Sequence, residues 1–302
     1  MESVSCEFIE SVLQRMARCD IEELSDVAPV TWKSLANQYS KNRVDVEVII
    51  LVTKTIAQLI FVSEDREGEL LTFEDFLRHP TPMKYLCITR VSMVNSYNDV
   101  ALPGCPETTL TEFRDRVLPF ILKQLVCYEL QLRSNGRHFQ KLVTDHVKYE
   151  PNAVNLWLLH NGAETEEYLK AQINVNANIH TVWLEGNWPQ ETCALLLKLF
   201  VNTSACSIDV KLYRSTIKLD IDFFRAFIDL WRKNPKVIKL LGKTAFPHHH
   251  LGSVSTHKSG NFRGDYYCVY DEDEESGLKI WFPDDDNYFE MSTSCYDCMR
   301  AL

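Results

Sequence analysis

One pattern returns three times in a single register. Leu130-Gln131-Leu132-Arg133-Ser134-Asn135 reads L-x-L-x-x-N. Leu156-Trp157-Leu158-Leu159-His160-Asn161 repeats it 26 residues later. Val182-Trp183-Leu184-Glu185-Gly186-Asn187 repeats it after another 26, with Val for the first Leu. Two looser copies, Val210-Lys211-Leu212 and Ile238-Lys239-Leu240, follow at intervals of 28. A chain with this spacing has few folds open to it. Each L-x-L predicts a short strand with both aliphatics on one face, because strand side chains alternate. The polar stretches between copies carry apolar residues at helical spacing, so a helix returns the chain each time. One such unit cannot bury its own apolar face, so neighbours must stack.

The pattern resembles a leucine-rich repeat of the long class, with a helix in each unit. The competing reading is an ordinary α/β sheet with coincidental spacing. The resemblance implies that Asn135, Asn161 and Asn187 sit at equivalent turns and form a hydrogen-bonded ladder. The residue between the two aliphatics points away from the core, giving the column Gln131, Trp157, Trp183, Lys211 and Lys239. The next outward column is Arg133, Leu159, Glu185, Tyr213 and Leu241. In-register pairing sets Trp157 beside Trp183, about 4.8 Å apart at the backbone. Exposed, the two indoles mark a contact surface. Covered by the connector or the C-terminal hairpin, they form a second small core. The contact reading assigns substrate binding to Arg133, Trp157, Leu159, Trp183, Glu185, Lys211 and Tyr213. The cations among them favour an acidic or phosphorylated partner segment.

The 302 residues are 45% hydrophobic and 11% aromatic, the composition of a folded chain. A net charge of −10 and a pI of 5.4 argue against a general nucleic-acid binder. The acidic first residues do not read as a secretory leader. The apolar run from Val44 to Val62 is broken by Asp45, Glu47, Lys54 and Gln58, so it is not a membrane span. Ten scattered cysteines then read as reduced thiols in the cytoplasm or nucleus.

Residues 5–40 predict three short helices. Phe8, Ile9, Val12, Leu13 and Met16 line one face of the first. Asp20-Ile21-Glu22-Glu23 is a capping-box start for the second. Pro29 ends the second, and Thr31 caps the third, which carries Trp32, Leu35 and Ala36. Val4-Ser5-x-Glu7-Phe8-Ile9, Val12-Leu13, Asp20-Ile21-x-x-Leu24-Ser25-x-Val27 and Trp32 together resemble an F-box. Ser5 stands where the family has Pro, and the stretch from Val27 to Trp32 is one residue longer than usual. The whole chain is similar to the divergent F-box proteins of nematodes. The resemblance implies a non-enzymatic substrate receptor of a cullin-RING (SCF-type) ubiquitin ligase. It implies a Skp1-like adaptor and a cullin as partners, with Val4, Phe8, Ile9, Val12, Leu13 and Ile21 binding the adaptor. A protein substrate would bind the repeats. The alternative is a stand-alone interaction scaffold whose F-box has decayed.

The expected organisation is an F-box-like module over 1–42, a connector over 43–82, repeats over 83–246, and a loop with a hairpin cap over 247–302. The connector contains strand-like alternation from Val44 and a turn at 64–68. Helical returns are expected at 109–125, 138–147, 164–173, 190–200 and 220–231. His248 to Gly264 reads as a mobile loop. Tyr266–Tyr270 and Leu278–Phe282 read as a hairpin across the acidic run 271–275. No nucleotide-binding glycine motif or nucleophile elbow occurs. Cys295-Tyr296-Asp297-Cys298 is a lone C-x-x-C, a weak zinc signal even with His248 to His250 and His257 as further ligands. The acid runs 271–275 and 284–286 lack calcium-loop spacing. No cofactor, metal, nucleic acid or membrane is therefore expected.

Overall fold

The computed structural model describes residues 4–16, 18–27, 29–53, 56–63, 70–95, 104–150, 153–253, 257–261, 264–270, 276–283 and 288–295. The fold is mixed α/β. It divides into two compact units, one of residues 1–147 with 152–154, the other of 148–151 with 155–302. The boundary therefore falls inside the expected repeat region rather than before it. The expected turn at 64–68, the acid runs at 271–275 and 284–286, and Cys298 lie outside the described residues.

The first unit begins with the three expected helices, α1 (Cys6–Leu13), α2 (Arg18–Val27) and α3 (Val30–Asn42). Ser5 caps α1, its Oγ accepting from the Phe8 N–H at 3.3 Å. That bond satisfies one of the free donors at the helix start. Ile9, Leu13, Ile21, Ala36 and Tyr39 share one core, joined by Tyr85 from beyond the helices. The Tyr39 and Tyr85 rings meet edge to face, centroids 5.0 Å apart. The helices thus lean on the rest of their unit.

Residues 43–82 are not a connector. They supply β1 (Val44–Val52), β2 (Ile56–Ser63), β3 (Leu70–Leu71) and the short helix α4 (Phe73–Leu77). β4 (Leu86–Asn95) lies parallel to β1, and β6 (Leu125–Arg133) parallel to β4. The sheet of this unit runs β6-β4-β1-β2-β3, with β5 (Glu107–Thr109) also on β2. The expected helix near 109–125 forms as α5 (Leu110–Glu112), a π-type turn (Phe113–Val117) and α6 (Leu118–Gln124). Pro119 has no N–H to give the preceding turn, a common cause of such local widening. Helix α7 (Arg137–Val147) closes the unit.

In the second unit β7 (Ala153–Leu159), β8 (Thr181–Gly186), β9 (Ser207–Ser215) and β10 (Val237–Lys243) pair in parallel in that order. The crossovers are α8 (Ala163–Val175), α9 (Thr192–Asn202) and α10 (Ile221–Lys233). Leu156, Leu158, Val182, Leu184, Val210, Leu212, Ile238 and Leu240 are buried, as the repeat requires. The residues between them stay part-exposed, so one sheet face is covered and the other open. A doubly wound sheet would bury both faces and lose this alternation.

The predicted hairpin forms as β12 (Gly264–Tyr270) and β13 (Ser276–Phe282), with Tyr270 opposite Gly277. It does not itself meet the parallel strands. β14 (Tyr288–Cys295) lies antiparallel to both β13 and β10 and makes the join. The expected loop after Pro247 contains a 3-10 turn (His248–Ser253) and β11 (His257–Asn261), the outer partner of β12. Among the described residues no helix is long and apolar enough to cross a membrane.

Candidate functional site

The open sheet face of the second unit is where the expected binding column lies. Trp157 pairs with Trp183, and Trp183 with Lys211. The two indoles stack with centroids 3.7 Å apart and planes 5° from parallel. Lys211 Nζ lies 5.1 Å from the Trp183 centroid. Because β8 runs between β7 and β9, Trp157 and Lys211 take opposite faces of Trp183. The stack therefore presents ring edges outward, and both indoles are half-buried. The same row continues through Leu241, Glu290 and Trp281, directly opposite one another across β10, β14 and β13. Trp281 was beyond reach of the repeat spacing, since its place depends on antiparallel pairing with a strand outside the repeats.

Three cations of this face are met by carboxylates, while Lys243 Nζ lies 4.7 Å from the Tyr288 ring centroid. Lys211 pairs with Asp209 at 3.1 Å, Arg214 with Glu185 at 3.3 Å, and Lys239 with Glu290 at 3.3 Å. Much of the positive charge of this face is thus balanced locally. Leu159 is half-buried beside Gly186, whose φ of 88° and close approach to Leu159 suit glycine. The Tyr213 side chain lies outside the described residues, and Arg133 belongs to β6 of the first unit. There Arg90 bridges Glu47 at 3.3 Å and Glu129 at 3.2 Å across neighbouring strands.

The asparagine ladder does not form as expected. Asn135, Asn161 and Asn187 do follow β6, β7 and β8, but Asn135 and Asn187 are exposed. Hydroxyls close the turns after β6 and β9. Ser134 Oγ accepts from the Gly136 N–H at 3.0 Å, and Ser215 Oγ from the Ile217 N–H at 3.3 Å. Asn95 Oδ1 accepts from Ser134 Oγ at 3.1 Å and from the Asn135 N–H at 2.8 Å. Leucine spacing carried no signal for these serines.

The residues assigned to adaptor binding separate into two groups. Ile9, Leu13 and Ile21 are 1% exposed or less and form the helical core, so they cannot be a contact surface. Their apolar spacing was read correctly, but its face turns inward. Val4 and Phe8 are exposed at 47% and 55%, and Val12 is half-buried. Val30, at the start of α3, is 85% exposed. An isolated β-branched residue after Pro29 has no periodicity to reveal it.

Burial pushes the Cys87 and Cys193 thiols up to about 11 and raises those of Cys105 and Cys268. A nucleophilic thiol needs the opposite direction. Among the described residues no three His, Cys, Asp or Glu side chains cluster as a metal site. No protein-family model, curated protein or solved structure matches the chain.

Proposed function

We propose that the chain is a non-enzymatic substrate receptor, in which an F-box-like N-terminal module docks an adaptor and leucine-rich-repeat-like strands hold a target protein. The observation that carries this reading is the N-terminal module. Three short helices, in the residue pattern that resembles an F-box, share a core and leave Val4 and Phe8 out of it. Ser5, the departure from the family pattern, has its own role as the cap of α1. The open face of β7 to β10, with its indole row, supplies a surface for a target. The ligase's other subunits would carry the chemistry, and the receptor would raise the target's effective concentration.

The test is affinity purification of the full chain followed by mass spectrometry, beside Phe8→Asp and Ile9→Asp. The expected result is an adaptor and a cullin with the parent chain, and neither with Phe8→Asp at unchanged melting temperature. Ile9→Asp buries a charge without a partner and unfolds the module, so it serves as the destabilised control. Other partners without an adaptor would favour a stand-alone scaffold. Adaptor binding that survives Phe8→Asp would remove Phe8 from the interface.

A further inference from the structure

A cleft of about 200 Å³ opens on the helical side of the second unit, between the C-terminal ends of α9 and α10. Its floor is aromatic and aliphatic: Phe200, Phe227, Trp231 and Ile238 are all less than 8% exposed. The Phe200 and Phe227 rings meet edge to face at 4.5 Å, and the Trp231 indole N–H donates to the Lys236 carbonyl at 3.2 Å. The floor is therefore fixed by its own contacts. Val201 stands on the rim, 57% exposed.

The mouth differs from the floor. Lys233 and Lys236 line it, and no lining residue is acidic. This occurs in a chain whose net charge is −10. Lys236 Nζ donates to the Thr203 carbonyl at the end of α9 and so is held at the rim. Lys233 has no carboxylate partner among the described residues. Lys233 thus differs from Lys211, Arg214 and Lys239 of the open sheet face, each of which is met by a carboxylate.

Volume and charge together select an occupant. Pockets for small-molecule ligands usually run to about 300–1,000 Å³. A cleft of 200 Å³ matches one large apolar side chain instead. We propose that this cleft is a docking notch for a short peptide segment of a partner protein, taking one phenylalanine- or leucine-sized side chain on its aromatic floor and an adjacent carboxylate at Lys233 and Lys236. The notch is separate from the open sheet face, and it stands whether or not the N-terminal helices bind an adaptor.

Fluorine NMR of the full chain grown with 5-fluorotryptophan tests this, the Trp231 signal being identified by its loss in Trp231→Phe. The probes are end-blocked pentapeptides with a central phenylalanine between two aspartates, the same peptide with two lysines, and the aspartate peptide with central alanine. The expected result is a saturable shift of the Trp231 signal with the first peptide alone. Lys233→Glu, an exposed change, should weaken that peptide roughly three- to tenfold and improve the lysine peptide. Val201→Asp should abolish the shift while leaving the other five tryptophan signals in place. Equal binding of the aspartate and lysine peptides would overturn the proposal. So would a shift produced by hexanoate but by none of the peptides, which would make the cleft a small-molecule site, or no shift from any probe.

Discussion

Arg43 is the residue on which the joint between helices and sheet depends. It ends α3, one residue before β1, and is 2% exposed. Its Nε donates to Asp45 Oδ1 at 2.6 Å and its Nη1 to the Met16 carbonyl at 2.5 Å. Arg18 reaches the other Asp45 oxygen at 3.8 Å. One guanidinium thus ties the end of α1, the end of α3 and the start of β1. Breaking such a pair from one side strands a buried charge, at a cost of about 3–5 kcal/mol, whereas replacing both sides by apolar groups is often neutral. Arg43→Met should therefore lower stability, by less than that range because Arg18 still reaches Asp45, and Arg43→Met with Asp45→Leu should recover most of the loss. Denaturant titrations of the two variants give the comparison; equal losses would mean that the bond to Met16 dominates. Nothing in the local pattern announces this pair. An Arg and an Asp two residues apart read as surface charge until the helices are packed over them.

The Trp157–Trp183 stack is an element-scale device, because it joins β7 to β8 on the side away from the core. Offset or stacked aromatic pairs contribute roughly 0.5–1.5 kcal/mol beyond burial. A double-mutant cycle with Trp157→Ala and Trp183→Ala should return a coupling in that range. A coupling near zero would mean that the rings stack without holding the strands. The elements themselves were largely legible. Period-two aliphatics placed β7, β8 and β10, and the Phe223, Phe224, Phe227, Ile228 and Trp231 stripe placed α10. α7, α8 and α9 begin and end within two residues of expectation. Pairing was less legible. β1 was readable as a strand but not as the partner of β4, and no strand was expected beyond Phe282. Local periodicity sets which face a strand buries, whereas its neighbour is decided by contacts far along the chain. The site divided the same way: the indole pair followed from register, while Ile9, Leu13 and Ile21 needed the helices' packing to show which way they face.

At the scale of the whole molecule, the second unit must be stopped as well as built. A parallel series offers an unpaired edge at its last strand, and such edges recruit other chains. β14 covers the edge of β10, and β13, β12 and β11 follow it outward. A chain ending at Phe246 loses all four strands. It should self-associate in size-exclusion chromatography with light scattering, where the full chain should run as a single species. Residues 247–302 carry eleven acids and four bases, so the truncated chain has a net charge of −3 against −10 for the full chain, and little repulsion opposes its association at any salt. A truncated chain that stays monomeric at high salt would mean that the β10 edge protects itself. The antiparallel stop also separates two quantities that most folds tie together. Each crossover unit of 26–28 residues meets only its neighbours, so the terminator need not change when units are gained or lost. An in-frame duplication of one unit would widen the open face by one strand spacing, about 4.8 Å, with both ends intact. A lineage could thus lengthen or shorten this face in single genetic steps, leaving both of its ends unchanged.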